Sequence, residues 1–456
     1  MKKTVYGISA LLLCLVLCFA LLPARAAAAD PIKIDESHFP DGNFVIYIQD
    51  TLDKDLDGYL SDEEIAAVTA LKFDRYDDIL SLDGIGYFTA LKSLRCTGME
   101  LTALDISSNT ALTTLDCSEN KLTALDVSRN TALQKLICND NLLKTLDVSE
   151  CTALKELNCS RNELTGLDVS ANTKLTSLQC YYNEIPKLDV SGNTALKKLD
   201  CSINQLKELD VRSNTALTEL LCAENLLTTL DVKKNTALKH LECGQNRLTE
   251  LDISKCTGLT NLSCNDNKLT KLNISRNTAL QILYCQNNRL TALNVRYHSS
   301  LKELFCQGNK IEKLAINKAS GLYKAYTKGT RLVTGQALQY EYYSSNSSGP
   351  VICRLYVPKT AKISVTAVPT VTAQPKSASV SAGSKVTFKV KATGTGLKYQ
   401  WYCQKAGTSK WTAISKATKA SYTFTAKKSQ NGWKYRCKIT CSAGTVTSNY
   451  AKLTVK

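Results

Sequence analysis

From Leu91 to Ile311 the chain sets out apolar and polar residues in one order, eleven times, with no residue inserted or lost. The order is L-x-x-L-x-C-x-x-N-x-L followed by a ten-residue return, so the opening Leu recurs every 21 residues from Leu91 to Leu301 and the Cys from Cys96 to Cys306. A period held that strictly marks a stack of equivalent turns. Within one turn, Leu115 and Cys117 alternate with Thr114 and Asp116. That is the two-residue rhythm of a strand, with the first pair facing inward and the second outward. Asn120 turns the chain, Leu122 points back inward, and Leu125-Asp126-Val127 repeats the alternation on a second wall. One such turn buries too little apolar surface to stand alone, whereas stacked turns bury it against each other. Stacking in register predicts a parallel sheet with strands ~4.8 Å apart, and hence a rod or shallow arc roughly 50 Å long for the whole array. The Asn column, Asn120 to Asn309, is predicted to form an internal ladder that satisfies backbone groups of its own and the adjoining turn. The Asp column of the return, Asp105 to Asp252, predicts side-chain caps on tight turns rather than metal ligands.

The Leu, Cys and Asn columns resemble the leucine-rich repeats of secreted and surface bacterial proteins. They are most similar to the 21-residue, cysteine-ladder type found in the internalin family. The resemblance covers about half the chain and implies a mainly β fold, a leucine-rich repeat solenoid spanning 83–319, with adhesion or ligand binding on its concave sheet face. Most outward strand positions there are polar, among them Thr114, Asp116, Glu156, Asn158, Asp200, Glu242 and Asn261, but Ile137, Tyr181, Leu221, Ile282, Tyr284 and Phe305 are not. Ile282, Tyr284, Phe305 and Tyr181 are the candidate contacts for a protein or glycan ligand. The competing expectation for the cluster at 282–305 is packing under a C-terminal cap through Tyr323 and Tyr326. Each column Cys stands where related repeats carry Leu, which predicts buried free thiols rather than disulfides. Cys151 and Cys256 are too many turns apart to pair with each other.

The flanks add separate elements. Residues 1–29 carry Lys2 and Lys3, a fifteen-residue apolar run from Ile8 to Leu22, and small residues up to Ala29. This is the pattern of a secretory signal and too short for a membrane span, so no transmembrane segment is expected in the mature chain. Residues 30–82 are expected to form a small helical N-terminal cap, with helices over Asp41–Leu52 and Asp62–Ala70. Between them D-K-D-L-D-G-Y-L-S-D-E-E resembles the calcium loop of an EF-hand. That resemblance assigns Asp53, Asp55 and Asp57 as carboxylate ligands, Tyr59 through its carbonyl, Ser61 through a water and Glu64 through both oxygens, giving one structural Ca²⁺ site. No second loop is present to pair with it. Residues 320–366 lose the repeat and are expected to be the C-terminal cap, and 367–376, with Pro369 and Pro375, a linker. In 377–456, Tyr399-Gln-Trp401-Tyr and Gly432-Trp-Lys-Tyr435-Arg-Cys437 resemble strands C and F of an Ig-like β-sandwich. Phe388 or Val390 stands where the partner of Cys437 would be, so the usual inter-sheet disulfide is absent.

Charge divides sharply. Residues 317–456 hold 23 Lys and Arg against one acidic residue, net +22, while the rest of the chain is net −6. From Ser377 onward there is no Asp or Glu. An anionic cell-wall polymer or an acidic membrane surface suits such an end better than nucleic acid, for which no binding motif appears. The three histidines, His38, His240 and His298, stand in unrelated places, and no catalytic triad, zinc spacing or phosphate loop is seen. The expected function is therefore non-enzymatic: a secreted or surface recognition scaffold. The alternatives are a wall-polysaccharide scaffold and a secreted enzyme or inhibitor, which would require titratable groups converging on the sheet face.

Overall fold

The computed structural model describes residues 30–74, 78–334, 337–346, 349–366, 369–441 and 444–456. The expected signal segment lies outside the described residues. The protein is mainly β, an eleven-turn solenoid with a parallel sheet, few helices and an Ig-like domain at its C-terminal end. It divides into two compact units, the first ending at Ala153 and the second running from Leu154 to Lys456.

The first unit opens with the cap. Helix Gly42–Thr51 is capped by Asp41, whose Oδ1 accepts from the Phe44 amide at 3.0 Å. Its other oxygen accepts from the Leu80 and Ser81 amides, pinning the helix to the segment before the first turn. The second helix, Asp62–Ala67, is shorter than expected. Val68 is extended, and Ala70–Asp74 is a strand parallel to Ser93–Thr97. In Ala-Leu-Lys-Phe-Asp the buried Leu71 and Phe73 alternate with the exposed Ala70 and Lys72, and strand rhythm wins over helix continuation. The cap thus covers the open apolar edge of the sheet with a strand as well as helices. Phe39, Phe44, Phe73 and Phe88, each fully buried, fill the space beneath. Thr114–Asp116 and Lys135–Ile137 follow in register.

In the second unit the strands from Glu156–Asn158 to Glu303–Phe305 pair in parallel, each residue with the one 21 positions on, as in Glu219 with His240. Each strand is three residues long with its central Leu buried. The predicted Asn ladder is present. Asn246 Oδ1 accepts from the Leu227 amide at 2.9 Å, and its Nδ2 donates to the Cys222 carbonyl of the preceding turn at 3.0 Å. The residue before each of these asparagines is left-handed, with φ between 51° and 57° from Tyr182 to Asn287, although none of these residues is glycine. That conformation costs about 1–2 kcal/mol per residue, and the amide bonds that follow it offset the cost.

A second ladder runs along the return wall. Asn193, Asn214, Asn235 and Asn277 are fully buried, and Asn214 donates to the Val190 and Asn193 carbonyls at 2.8 and 2.9 Å. Cys256 occupies this column, its Sγ 3.5 and 3.6 Å from the equivalent carbonyls, and so does His298, whose Nε2 meets the Ile274 carbonyl at 3.1 Å. Cys151 plays the same part in the first unit. Within the array, Cys151 and Cys256, which lie outside the main column, are thus stand-ins for asparagine. No described cysteine is in a disulfide. Burial pushes the Cys159 and Cys306 thiols up to about 12.

Past the last turn, helix Gly321–Lys328 precedes a hairpin. Its strand Gly349–Pro358 adds in parallel to Glu303–Phe305 and pairs antiparallel with Ala337–Asn346. Within the expected linker, Thr370–Ala373 is a strand that pairs antiparallel with Lys391–Thr393 of the sandwich. Thr-Val-Thr-Ala carries strand alternation that the flanking prolines masked. In the sandwich, Lys398–Gln404, Lys434–Cys441 and Ala451–Val455 form one sheet and Lys385–Lys389 with Ser421–Thr425 the other. Phe388, Trp401, Tyr435 and Cys437 are buried between them, with Phe388 stacked on Tyr435 at 4.9 Å in place of a disulfide. Tyr435 does not make the usual corner bond; among the described residues its hydroxyl has no partner.

Candidate functional site

Because positions 21 residues apart become neighbours, the outward face of the second unit is best read by column. One column runs Lys198, Glu219, His240, Asn261, Ile282, Glu303 and the next runs Asp200, Leu221, Glu242, Ser263, Tyr284, Phe305. Tyr284 and Phe305 are stacked with centroids 4.6 Å apart. The stack continues into the cap: Tyr356 lies parallel to Phe305 at 4.2 Å. The cap thus joins the cluster, but through Tyr356, whereas Tyr326 packs edge-on against Tyr340. All three rings are half-buried. The Tyr284 hydroxyl donates to Glu303 Oε2 at 2.6 Å, and burial together with that bond raises its pKa. Arg354 stands 3.8 Å from Glu303 and 3.9 Å from Glu341, fixing the charged margin of the stack.

Tyr181 does not belong to this cluster. It follows Cys180, in the turn rather than the strand, under the guanidinium of Arg161 at 5.8 Å. Five turns separate it from Tyr284, about 24 Å of stacking. Ile282 does lie in the adjoining column, paired with Glu303.

The structure also assembles a group that His240 had appeared too isolated to form. His240 Nε2 is 2.8 Å from Glu242 and Nδ1 is 3.7 Å from Glu219, which is also 3.7 Å from Lys198. The bond to Glu242 raises the His240 pKa against the opposing effect of burial. Asp200 completes the patch: burial raises its carboxyl, the bonds from Ser202 oppose this, and Glu242 and Glu219 add to the rise. On this face His240 and Glu242 stand two strands from Tyr284, Glu219 three and Asp200 four. The cavities of about 820 and 480 Å³ lie elsewhere, along the return wall between Asp189 and Asn273. There the Asp column caps its turns, as Asp252 does by accepting from the Ser254 amide at 3.0 Å.

In the first unit, Asp53, Asp55 and Asp57 place a carboxylate oxygen each within 4.8 Å of one another. Leu56 at φ 60° and Gly58 at φ 82° make the tight loop that gathers them. Asp53 is 5% exposed, and its Oδ1 is buried with no hydrogen-bond partner among the described residues. Burial and the charge of Asp57 raise the Asp55 carboxyl. Tyr59 and Leu60 pair with Lys33 and Ile32, so the N-terminal segment supplies the strand that a second loop would otherwise give. Glu64 accepts from the Lys54 amide at 2.6 Å and from the Ser61 amide and hydroxyl, which holds its carboxylate beside the loop. An orphaned buried carboxylate oxygen amid three converging acids fits a hard cation.

Residues 369–455 match the immunoglobulin I-set domain. Over nearly its whole length the chain is similar to the functional domain of InlJ from Listeria monocytogenes, which includes a cysteine ladder. Identity is 26%, coverage 94% of this chain and 99% of that one, and the TM-score 0.59. The chain thus resembles a cysteine-ladder internalin in its solenoid and carries an Ig-like domain. It also matches YopM from Yersinia enterocolitica WA-314, at 21% identity over 59% of this chain and 60% of that one, with a TM-score of 0.41. A comparison with curated protein sequences returns no match. Among the described residues of this internalin-like chain, no helix is long and apolar enough to cross a membrane.

Proposed function

We propose that this chain is a secreted or surface recognition scaffold that binds a protein through the strand face of its second unit. The observation that supports this reading is the Tyr284–Phe305–Tyr356 stack, with the Glu303 carboxylate against Tyr284 and Glu242 two strands away on the same face. Aromatic anchors beside a charged margin are the common composition of a protein-binding hot spot. The negative potential selects a partner segment carrying Lys or Arg next to an apolar side chain. The acidic cluster lies on a sheet face rather than in an enclosing cavity, which favours recognition over catalysis. Affinity capture on the immobilised full chain tests this, with the variant Glu242→Lys/Tyr356→Ala in parallel. A partner held by the native chain and lost by a variant of unchanged melting temperature supports the reading. A partner held equally by both overturns it.

We also infer that the cap loop holds one Ca²⁺ through Asp53, Asp55 and Asp57, with Tyr59, Ser61 and Glu64 completing the set. The orphaned Oδ1 of Asp53 supports this inference. The ion would neutralise the acidic loop between the two cap helices and so stabilise the covered edge of the sheet. Calorimetric titration of the chain with calcium tests it, and absence of binding heat at millimolar calcium counts against it.

A further inference from the structure

We propose that the outer face of one sheet of the Ig-like domain is a binding site for an anionic polysaccharide. Along Lys398–Gln404 and Lys434–Cys441, Trp401, Tyr435, Cys437 and Ile439 are buried in the sandwich. Side chains of successive strand residues point to opposite faces, so Tyr402, Gln404, Lys434 and Arg436 face outward. The register sets Tyr402 opposite Arg436 and Gln404 opposite Lys434. Trp411 precedes the strand Thr412–Ala413 on one side of them, and Tyr450 precedes Ala451–Val455 on the other.

The cations on this face are held by rings rather than by carboxylates. The Arg436 guanidinium carbon stands 4.1 Å from the Trp411 ring centroid, and the Lys434 ammonium 4.6 Å from that of Tyr450. At the end of the same strands the Lys405 ammonium is 5.8 Å from the Trp433 centroid. Cation–π contact fixes a charge in place without neutralising it. Since no Asp or Glu occurs from Ser377 onward, nothing in the domain cancels the field. The face therefore presents fixed positive charges, with Tyr402 opposite Arg436 and Gln404 opposite Lys434 on the neighbouring strand. The Trp411 and Tyr450 rings each hold a cation on one side. Hydroxyl- and amide-bearing side chains beside fixed cations match a polymer that carries hydroxyls as well as anions. An acidic polysaccharide has that chemistry. Polyglutamate has the charge without the hydroxyls, and an oligonucleotide has bases in their place.

The test uses the full chain and three probes of matched charge at low salt: polygalacturonate, polyglutamate and oligothymidine. The variants are Lys434→Ala/Arg436→Ala and, as a second surface change, Tyr450→Ala, at a residue that is 53% exposed. Polygalacturonate should bind about tenfold more tightly than either other probe, and each variant should lose about tenfold in that affinity. Melting curves identify any variant that fails to fold, in which case Tyr450→Ala carries the comparison. Equal binding of polyglutamate reduces the face to non-selective charge and overturns the proposal. So do tighter binding of oligothymidine, unchanged affinity in a folded variant, or self-association of the chain that polygalacturonate does not displace.

Discussion

The two asparagine ladders look alike in sequence but are bonded differently, and replacing a member of each by cysteine should separate them. Asn225, in the ladder after the Cys column, uses its whole amide: Oδ1 accepts from the Leu206 amide at 2.9 Å, and Nδ2 donates to Cys201, Cys222 and Ala223 carbonyls at 3.0–3.3 Å. Asn225→Cys leaves the buried Leu206 N–H without its acceptor, at about 1–3 kcal/mol, and removes donors worth roughly 0.5–1.5 kcal/mol each. The expected loss is about 3–4 kcal/mol. Asn214 uses only Nδ2, and its buried Oδ1 has no partner among the described residues. Asn214→Cys removes that unpaired oxygen and leaves a weak donor aimed at two carbonyls, the arrangement Cys256 already adopts. It should cost no more than about 1 kcal/mol. Urea unfolding followed by far-ultraviolet circular dichroism measures both. Equal destabilisation, or the larger loss at Asn214, would refute the bonding scheme.

Other outcomes follow from the same geometry. Cys222→Ser, mid-column and fully buried, should destabilise by about 1–3 kcal/mol through a poorly paired hydroxyl. Thiol labelling of the denatured, unreduced chain should find the column cysteines reactive, and a mostly unreactive column would mean it is oxidised. Calcium at about a hundredfold over its dissociation constant should add about 3 kcal/mol to the cap's stability, so a chelator should lower the first melting transition; identical scans with and without chelator would remove the calcium site. The His240 pKa lies above its ordinary value because the Glu242 carboxylate accepts a hydrogen bond from the protonated ring. The pairing therefore stabilises the fold fully below the ordinary histidine range and is lost as pH rises through the raised value. A cationic partner should accordingly bind about threefold more weakly once His240 is protonated. His240→Gln should flatten that profile, and an unaltered profile would clear His240 of the effect.

The strict 21-residue period made the solenoid legible, since Leu, Cys and Asn each repeat at that spacing, and the sandwich strands were equally visible around Trp401 and Tyr435. What escaped notice was still in the pattern. Cys151, Cys256 and His298 keep the register of the second asparagine column, yet they read as surplus cysteines and a stray histidine because residue type was weighed before position. Glu219 and His240 are one period apart, as are Asp200, Leu221 and Glu242, so the acidic cluster is a feature of columns rather than of local sequence. Tyr181 was misplaced for the opposite reason: it is aromatic but stands one residue past the Cys, where the chain has already left the strand. Tyr356 had no repeat to announce it, because the cap strand that carries it joins the sheet from outside the periodic region. Ala70–Asp74 and Thr370–Ala373 were missed because each short alternation sits beside a stronger local signal, a helix in one case and prolines in the other.

The central claim is that a protein partner docks on the strand face of the second unit. A photo-crosslinking residue at Ser263, in the column between Glu242 and Tyr284, tests it most directly against one at Lys271 on the return wall. A covalent adduct with the captured partner is expected from position 263 and none from position 271. Crosslinking from 271 instead, or equally from both, would contradict it.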